Sequence, residues 1–312
     1  MLATRLTLRP IATTLPANDL GVAVSRQLLA GSMAAFGVLA PGTTVTTVDE
    51  VVTGSGRVRG EWVRAGGVTR DDAAVFYIHG SGYALCSPRT HRRLVSQLSA
   101  MTGLPVFSLD YRLAPRHRFP AAADDAERAF EWLLTQDRPA DRLVVAGDSA
   151  GGHLAVDLAL SRVRAGLPLP AAQVLLSPLV DLTMELCRSR EQVRRDPMIS
   201  AAACARLLGH YAAGVDPQHA RLAHAIEAGE VLPPTLIQAG GAEMLAADAH
   251  HLHDQLVASG THSRLEVWPG QMHVFQAMPR LVPEATAALR RAARFITESL
   301  EAATAGTERV TA

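Results

Sequence analysis

Arg142-Leu143-Val144-Val145-Ala146-Gly147-Asp148-Ser149-Ala150-Gly151-Gly152-His153-Leu154 is the stretch that decides the fold. An apolar strand, Arg142 to Ala146, runs straight into Gly-x-Ser-x-Gly. A helical pattern over Ser149 to Ala165 follows at once, with Leu154, Leu158 and Val163 on one face. A turn this tight between strand and helix leaves no room for large side chains beside the serine. It holds the serine in a strained conformation with Oγ exposed. The start of the helix offers the Ala150 N–H and a favourable dipole to a developing negative charge. A phosphate-binding turn is the competing reading, but neither G-x-G-x-x-G nor G-x-x-x-x-G-K is present. Ser149 is therefore the candidate nucleophile.

Outward from this turn the chain alternates short β-branched runs with longer helical ones. Upstream, Thr44 to Val52 and Arg57 to Val63 read as strands of a hairpin turning near Gly54-Ser55-Gly56. Ala73 to Ile78 and Pro105 to Leu109 read as buried strands, and Pro88 to Met101 and Ala121 to Leu134 as helices. Downstream come strands Gln173 to Leu176, Thr235 to Ala239 and Leu265 to Trp268, with helices Ala246 to Ala258 and Val282 to Leu300. Apolar strands alternating with helices mean an α/β fold: a mainly parallel central sheet flanked by helices.

The rhythm breaks over residues 181–230, which are polar, Arg-rich and without a strand candidate. Helix-like pieces lie around Ser200 to Tyr211 and Ala220 to Ala228. The expected organisation is a core over 46–180 and 231–303, a helical cap built from 1–45 and the 181–230 insertion, and a frayed tail over 304–312. Pro10, Pro16 and Pro41 break the N-terminal segment.

Composition narrows the function. The 312 residues hold 30 basic and 30 acidic side chains, and every basic one is Arg. A net charge of zero argues against nucleic acid or an anionic membrane as the main partner. The longest apolar stretch, Leu28 to Pro41, falls short of the roughly 20 residues a membrane span needs. Cys86, Cys187 and Cys204 are too few and too scattered for a disulfide framework or zinc site and suit a reducing cytoplasm.

A serine nucleophile needs a base and an orienting carboxylate, and on such sheets both follow the serine in chain order. Of twelve histidines, His273 is best placed, in a loop between the strand Leu265 to Trp268 and the last helix. Glu243 sits in the turn just after Thr235 to Ala239, where the acid belongs; Asp248, a helical turn further on, reads as solvated or capping. His79-Gly80-Ser81-Gly82-Tyr83 leaves an earlier strand as a glycine-rich loop, able to point backbone N–H groups into a common cavity. His79 comes too early in the chain to be the base and reads as structural. His250 and Asp254 have metal-ligand spacing without a third ligand, so no metal or cofactor is expected.

Taken together these stretches resemble the hormone-sensitive-lipase-like branch of the α/β-hydrolases, the bacterial serine carboxylesterases. His79-Gly80-Ser81-Gly82 is similar to the family's HGGG loop, and Asp110-Tyr111-Arg112-Leu113-Ala114-Pro115 with Phe119-Pro120-Ala121-Ala122 to its D-Y-R-L-A-P stretch. Gly147 to Gly152 is similar to G-D-S-A-G-G. Ser177-Pro178, Asp196-Pro197-Met198-Ile199-Ser200 and Glu243-Met244-Leu245 with Asp248 match further segments in order. The resemblance implies Ser149 as nucleophile, Glu243 as acid and His273 as base, with oxyanion donors at the N–H groups of Ser81, Gly82 and Ala150. Tyr83, Leu207, Leu208 and Tyr211 are the expected pocket residues. A short- to medium-chain ester is the expected substrate; the alternatives are a non-catalytic small-molecule-binding relative or a lactone or amide hydrolase with the same triad. Similar proteins commonly form edge-strand homodimers, and nothing in this sequence forces one. Three departures stand out. Ser81 replaces a glycine, which demands a negative φ; Arg116 replaces a Glu, which leaves an ion pair missing or reversed; and Glu243 replaces the commoner Asp.

Overall fold

The computed structural model describes residues 19–54 and 56–311. Eight strands form one sheet in the order β1-β2-β4-β3-β5-β6-β7-β8. They are β1 (Thr44–Val52), β2 (Gly56–Arg64), β3 (Ala74–Ile78), β4 (Val106–Leu109), β5 (Leu143–Asp148), β6 (Ala172–Leu176), β7 (Thr235–Gly240) and β8 (Ser263–Trp268). β1 and β2 pair antiparallel as the expected hairpin, with Val52 opposite Gly56, and β2 pairs antiparallel with β4. The other five pairings are parallel. Strands β3 to β7 are buried along their whole length, which is why they read as unbroken apolar runs.

Helices cover both faces. One face carries α2 (Pro88–Thr102) and the C-terminal helix, whose Leu94, Leu98, Leu289 and Ile296 share a core with Tyr77 and Val144. The other carries α3 (Ala121–Leu134), α4 (Ala150–Ala165) and α8 (Ala246–Ser259), packed on Phe76, Val145 and Ile237. The chain leaves β3 for β4 on one side and returns to β5 on the other. The carboxyl ends of β3 and β5 therefore lie side by side at a topological switch point, where open α/β sheets bind ligands.

Helix α1 (Asp19–Phe36) precedes the sheet; Pro10 and Pro16 fall outside the described residues. Between β6 and β7 the 181–230 segment holds α5 (Glu185–Val193), α6 (Ala201–Ala212) and α7 (Ala220–Ala223), with no strand among its residues. Helix α5 escapes the sequence pattern because Cys187 is its one buried residue. The piece read to Ala228 stops at Ala223, where His224 turns left-handed at φ 45°. The last helix, α9 (Glu284–Thr311), continues through 304–311, where the small polar residues read as a frayed tail. Alanines and an established helical nucleus let it propagate. No helix among the described residues is long and apolar enough to cross a membrane.

Two ion clusters tie this frame together. Arg112 grips Asp125 of α3 with its backbone N–H at 2.8 Å and its Nε at 2.9–3.0 Å. Arg116 is exposed and takes no part in this pair. Arg221 of α7 binds Asp157 of α4 at 2.9 Å and Asp124 of α3 at 2.8 Å, fastening the insertion to the core. Burial alone would raise the Asp157 carboxyl; His224 and Arg221 beside it outweigh burial and hold it below its ordinary value. A depressed carboxylate stabilises the fold above the unfolded pKa, and that contribution fades as pH falls through the folded one. Arg221→Met should therefore cost about 3 kcal/mol at pH 7, by removing the guanidinium from a buried carboxylate and leaving it only His224. The gap from wild type should narrow toward pH 4 in urea unfolding; a gap that does not depend on pH would mean lost packing alone.

Candidate active site

The β5–α4 turn places Ser149 at φ 51° and ψ −120°, a conformation that disfavours any side chain. Its neighbours show why glycine is needed around it. A Cβ on Gly147 would lie 2.5 Å from the carbonyl oxygen of Gly151, and one on Gly151 would overlap the carbonyl oxygen of Ile78. The Ser149 N–H donates to Leu176 O at 3.0 Å, and the Leu179 N–H donates to Ser149 O at 3.1 Å. Strand β6 and the residues after it thus hold the strained turn from both sides.

Asp148, one residue before the serine, joins this turn to the glycine-rich loop. Its Oδ1 accepts the Tyr77 hydroxyl at 2.7 Å and the Gly80 N–H at 3.1 Å, and His91 Nε2 stands 3.3 Å away. Burial would raise this carboxyl, but His91 and Tyr77 outweigh it and keep it below the ordinary range. The sequence gives no hint of His91, which reads as one residue of an amphipathic helix. His79 is structural as expected: it stacks on Tyr111 at 4.3 Å, and its Nδ1 lies 3.1 Å from Gly80 O. Burial and the neighbouring His91 push it down to about 3.

Ser81 departs from expectation. Its φ is +78°, and Gly82 and Tyr83 follow at +59° and +60°. The N–H groups of Ala84 and Leu85 both donate to Ser81 O at 3.2 Å, which winds the loop into this left-handed run. The Ser81 hydroxyl lies 2.9 Å from Cys86 Sγ, so a local partner offsets part of the strain. The N–H groups of Ser81 and Gly82 carry no hydrogen bond among the described residues.

Glu243 and His273 meet across the ends of β7 and β8. Glu243 Oε2 is 2.6 Å from His273 Nδ1. Its Oε1 accepts the Gly240 N–H at 2.5 Å and the Ser177 hydroxyl at 2.8 Å. Ser177, at φ 49° beyond β6, also accepts the Val274 N–H at 3.1 Å, so one hydroxyl ties the acid to the histidine loop. Burial alone would lower the His273 pKa; Glu243 reverses this and holds it above the ordinary histidine value. Asp248 is buried, not solvated. It accepts the Val180 and Asp181 N–H groups at 2.8 and 2.9 Å and the Cys187 thiol at 3.2 Å, and burial pushes it up to about 6.

Ser81, Gly82, Ser149 and His273 all line one cavity of about 160 Å³; Ala150 lies beside it as the first residue of α4. His91 and Asp148 also reach it, and the rest of its wall is mostly aliphatic: Leu29 and Met33 from α1, Met184, Met198, Ile199, Leu207 and Leu208 from the insertion, and Met278 beyond the histidine. Leu207 lies so close over Gly82 that a Cβ there would overlap it. Leu207 and Leu208 both line this cavity. Tyr83 and Tyr211 do not: they stack on each other at 4.0 Å, fully buried away from the cavity. The left-handed turn at Tyr83 sends that ring into the core. Met33 and Met198 carry no signal beyond being apolar in segments that read as cap.

Comparison with known proteins agrees with this geometry. A family model for the alpha/beta hydrolase fold matches residues 75–277. An acetyl-hydrolase of Streptomyces hygroscopicus is 40% identical over 267 residues, covering 84% of this chain and 85% of that protein. The esterase LipU of Mycobacterium tuberculosis is 37% identical over 246 residues, covering 76% and 82%. The crystal structure of an esterase from the bacterial hormone-sensitive lipase family superposes with a TM-score of 0.82 at 32% identity, covering 96% of each chain. An eight-stranded sheet with its serine turn after β5 and a histidine after β8, matched along nearly its whole length by such esterases, belongs to the hormone-sensitive-lipase-like family of the α/β-hydrolases.

Proposed function

We propose that this chain is a serine carboxylesterase that hydrolyses short- to medium-chain esters through an acyl-enzyme on Ser149. The observation that carries the reading is the 2.6 Å contact of Glu243 with His273 Nδ1, on a histidine that shares an aliphatic cavity with Ser149. With Nδ1 held by the carboxylate, Nε2 is the nitrogen left to take the Ser149 proton. Ser149 Oγ then attacks the ester carbonyl. The N–H groups of Ser81, Gly82 and Ala150 receive the oxyanion; each such donor is worth about 10²–10³ in rate. The imidazolium gives its proton to the departing alcohol, and water repeats the sequence against the acyl-enzyme. A small cavity walled by Leu, Ile and Met suits a short aliphatic acyl group, in keeping with the acetyl-hydrolase name of one relative.

Hydrolysis of p-nitrophenyl esters of graded acyl length, with and without a serine-directed phosphonate, tests this directly. Turnover should favour short chains and stop when Ser149 carries the adduct, located by mass mapping. No turnover and no adduct would favour a non-catalytic binding protein. Ser149→Ala should lower kcat by about 10⁴-fold or more while the protein stays folded. Glu243→Ala should lose far more activity than Asp248→Ala; equal losses would reverse the choice of acid.

The pH profile gives a further check. His273 must be neutral to act as base, so kcat/KM should fall as pH drops through its raised pKa. Glu243→Gln removes the main group that raises it and leaves burial, which lowers it, against the smaller pull of Asp196 and Asp148. The acid limb of the residual activity should therefore move to lower pH. A limb that stays in place, or moves up, would separate Glu243 from the histidine's titration.

A further inference from the structure

The turn that carries Glu243 has its backbone groups divided between two parts of the molecule. The Gly241 and Ala242 N–H groups donate to Trp268 O and Gln271 O, at 2.7 and 2.9 Å, on the histidine side. The other side is held from the insertion. Arg190 of α5 donates from Nε to Glu243 O at 2.8 Å and from its second guanidinium branch to Gly241 O at 2.9 Å. Asp196 accepts the Met244 N–H at 2.8 Å, and also the N–H groups of Met198 and Ile199, two cavity-wall residues, at 2.7 and 3.1 Å.

An arginine on a polar surface helix is ordinarily a solvated side chain. This one is half-buried and spans two carbonyls of one turn, a fork that a point donor such as Lys cannot reproduce. Its helix is itself anchored. Asp248 takes the N–H groups of Val180 and Asp181, Asp181 accepts the Leu186 N–H at 3.0 Å, and Cys187, one turn before Arg190, is buried. We infer that Arg190 is a positioning residue: the insertion that walls the pocket also fixes, through this guanidinium, the turn that aims Glu243 at His273. The inference rests on the reading of Glu243 as the acid of the triad.

The test compares Arg190→Met and Arg190→Lys with wild type. In Arg190→Met, kcat for a p-nitrophenyl ester should fall about 10–10²-fold, the scale of a small misplacement of catalytic groups. KM should change less than about threefold, and the acid limb of the pH profile should move down as the Glu243–His273 contact loosens. Arg190→Lys should restore part of the loss. Amide hydrogen exchange, read on peptides covering 240–245, should quicken in Arg190→Met and less so in Arg190→Lys. An unchanged kcat and acid limb, or a loss confined to KM, would overturn the proposal. Unchanged exchange in the turn would overturn it too, and that measurement holds even where wild type shows no esterase activity. Wild-type turnover and the Ser149 adduct judge the esterase reading separately. Should Arg190→Met not fold, the Lys variant carries the same readouts, and wild-type values in it would reject the fork.

Discussion

The strained backbone of Ser149 is the constraint around which the rest is arranged. A side chain at φ 51° and ψ −120° costs on the order of 1–3 kcal/mol and persists only when its surroundings over-determine it. Here they do. Gly147 and Gly151 bring the turn close under Ile78, and bonds to Leu176 and from Leu179 fix the serine's own amide and carbonyl. Each of those partners lies in, or just beyond, the neighbouring parallel strands β3 and β6, so the elbow exists only as part of the finished sheet. The same crowding admits the carboxylate of Asp148 against Gly80, where a Cβ would lie 2.5 Å from Asp148 O. The Ser149 turn and the glycine-rich loop are therefore set by one close approach.

Buried carboxylates show how the chain divides labour among like groups. Asp148, Asp196, Glu243 and Asp248 are all buried, and burial disfavours charge on each. What separates them is the partner. Asp196 and Asp248 accept backbone N–H groups of the insertion, and both remain raised above the ordinary carboxylate range. These are structural acceptors that fasten loop to loop. Asp148 faces His91, and Glu243 faces His273, with its second oxygen already taken by Gly240 and Ser177. That second pair of bonds fixes the carboxylate plane, so the longer Glu side chain in place of Asp leaves no freedom at its tip.

What could be read from the sequence follows from the range of the interaction concerned. The elbow, the strand that feeds it and the helix it opens are encoded within a dozen residues, and their boundaries fall within a residue or two of the structure. Glu243 in its turn and His273 in its loop were legible for the same reason: each lies a few residues beyond an apolar strand. Ser81 was misjudged because its left-handed φ is imposed by the Ala84 and Leu85 amides closing on its carbonyl, a feature that residue type alone does not encode. Tyr83 and Tyr211 look like pocket aromatics by position, yet the turn at Tyr83 stacks one on the other in the core. Asp248 seemed solvated because its partners, Val180 and Asp181, lie 67–68 residues away. Helix α5 was invisible for want of an apolar face, although it contributes Arg190 to the turn of Glu243.

This distribution has a consequence for how the pocket can vary. Segments that wall a cavity are usually free to change while the sheet beneath keeps the chemistry. Helix α1 fits that pattern: Leu29 and Met33 reach the cavity, and Arg26 holds the helix to Ala84 O at 2.8 Å, just beyond the glycine-rich loop. The 181–230 insertion does not. Asp196 holds Met198 and Ile199 of the wall with one oxygen and the Met244 amide, next to Glu243, with the other. Leu207 packs on Gly82 of the glycine-rich loop. A change of pocket shape made in α6 therefore presses on Gly82, and one made near Asp196 moves the turn that holds Glu243. The cavity can therefore change shape at α1 with little effect on the turns that carry Ser149 and Glu243, whereas changes in the insertion alter the cavity wall and the Glu243 turn together.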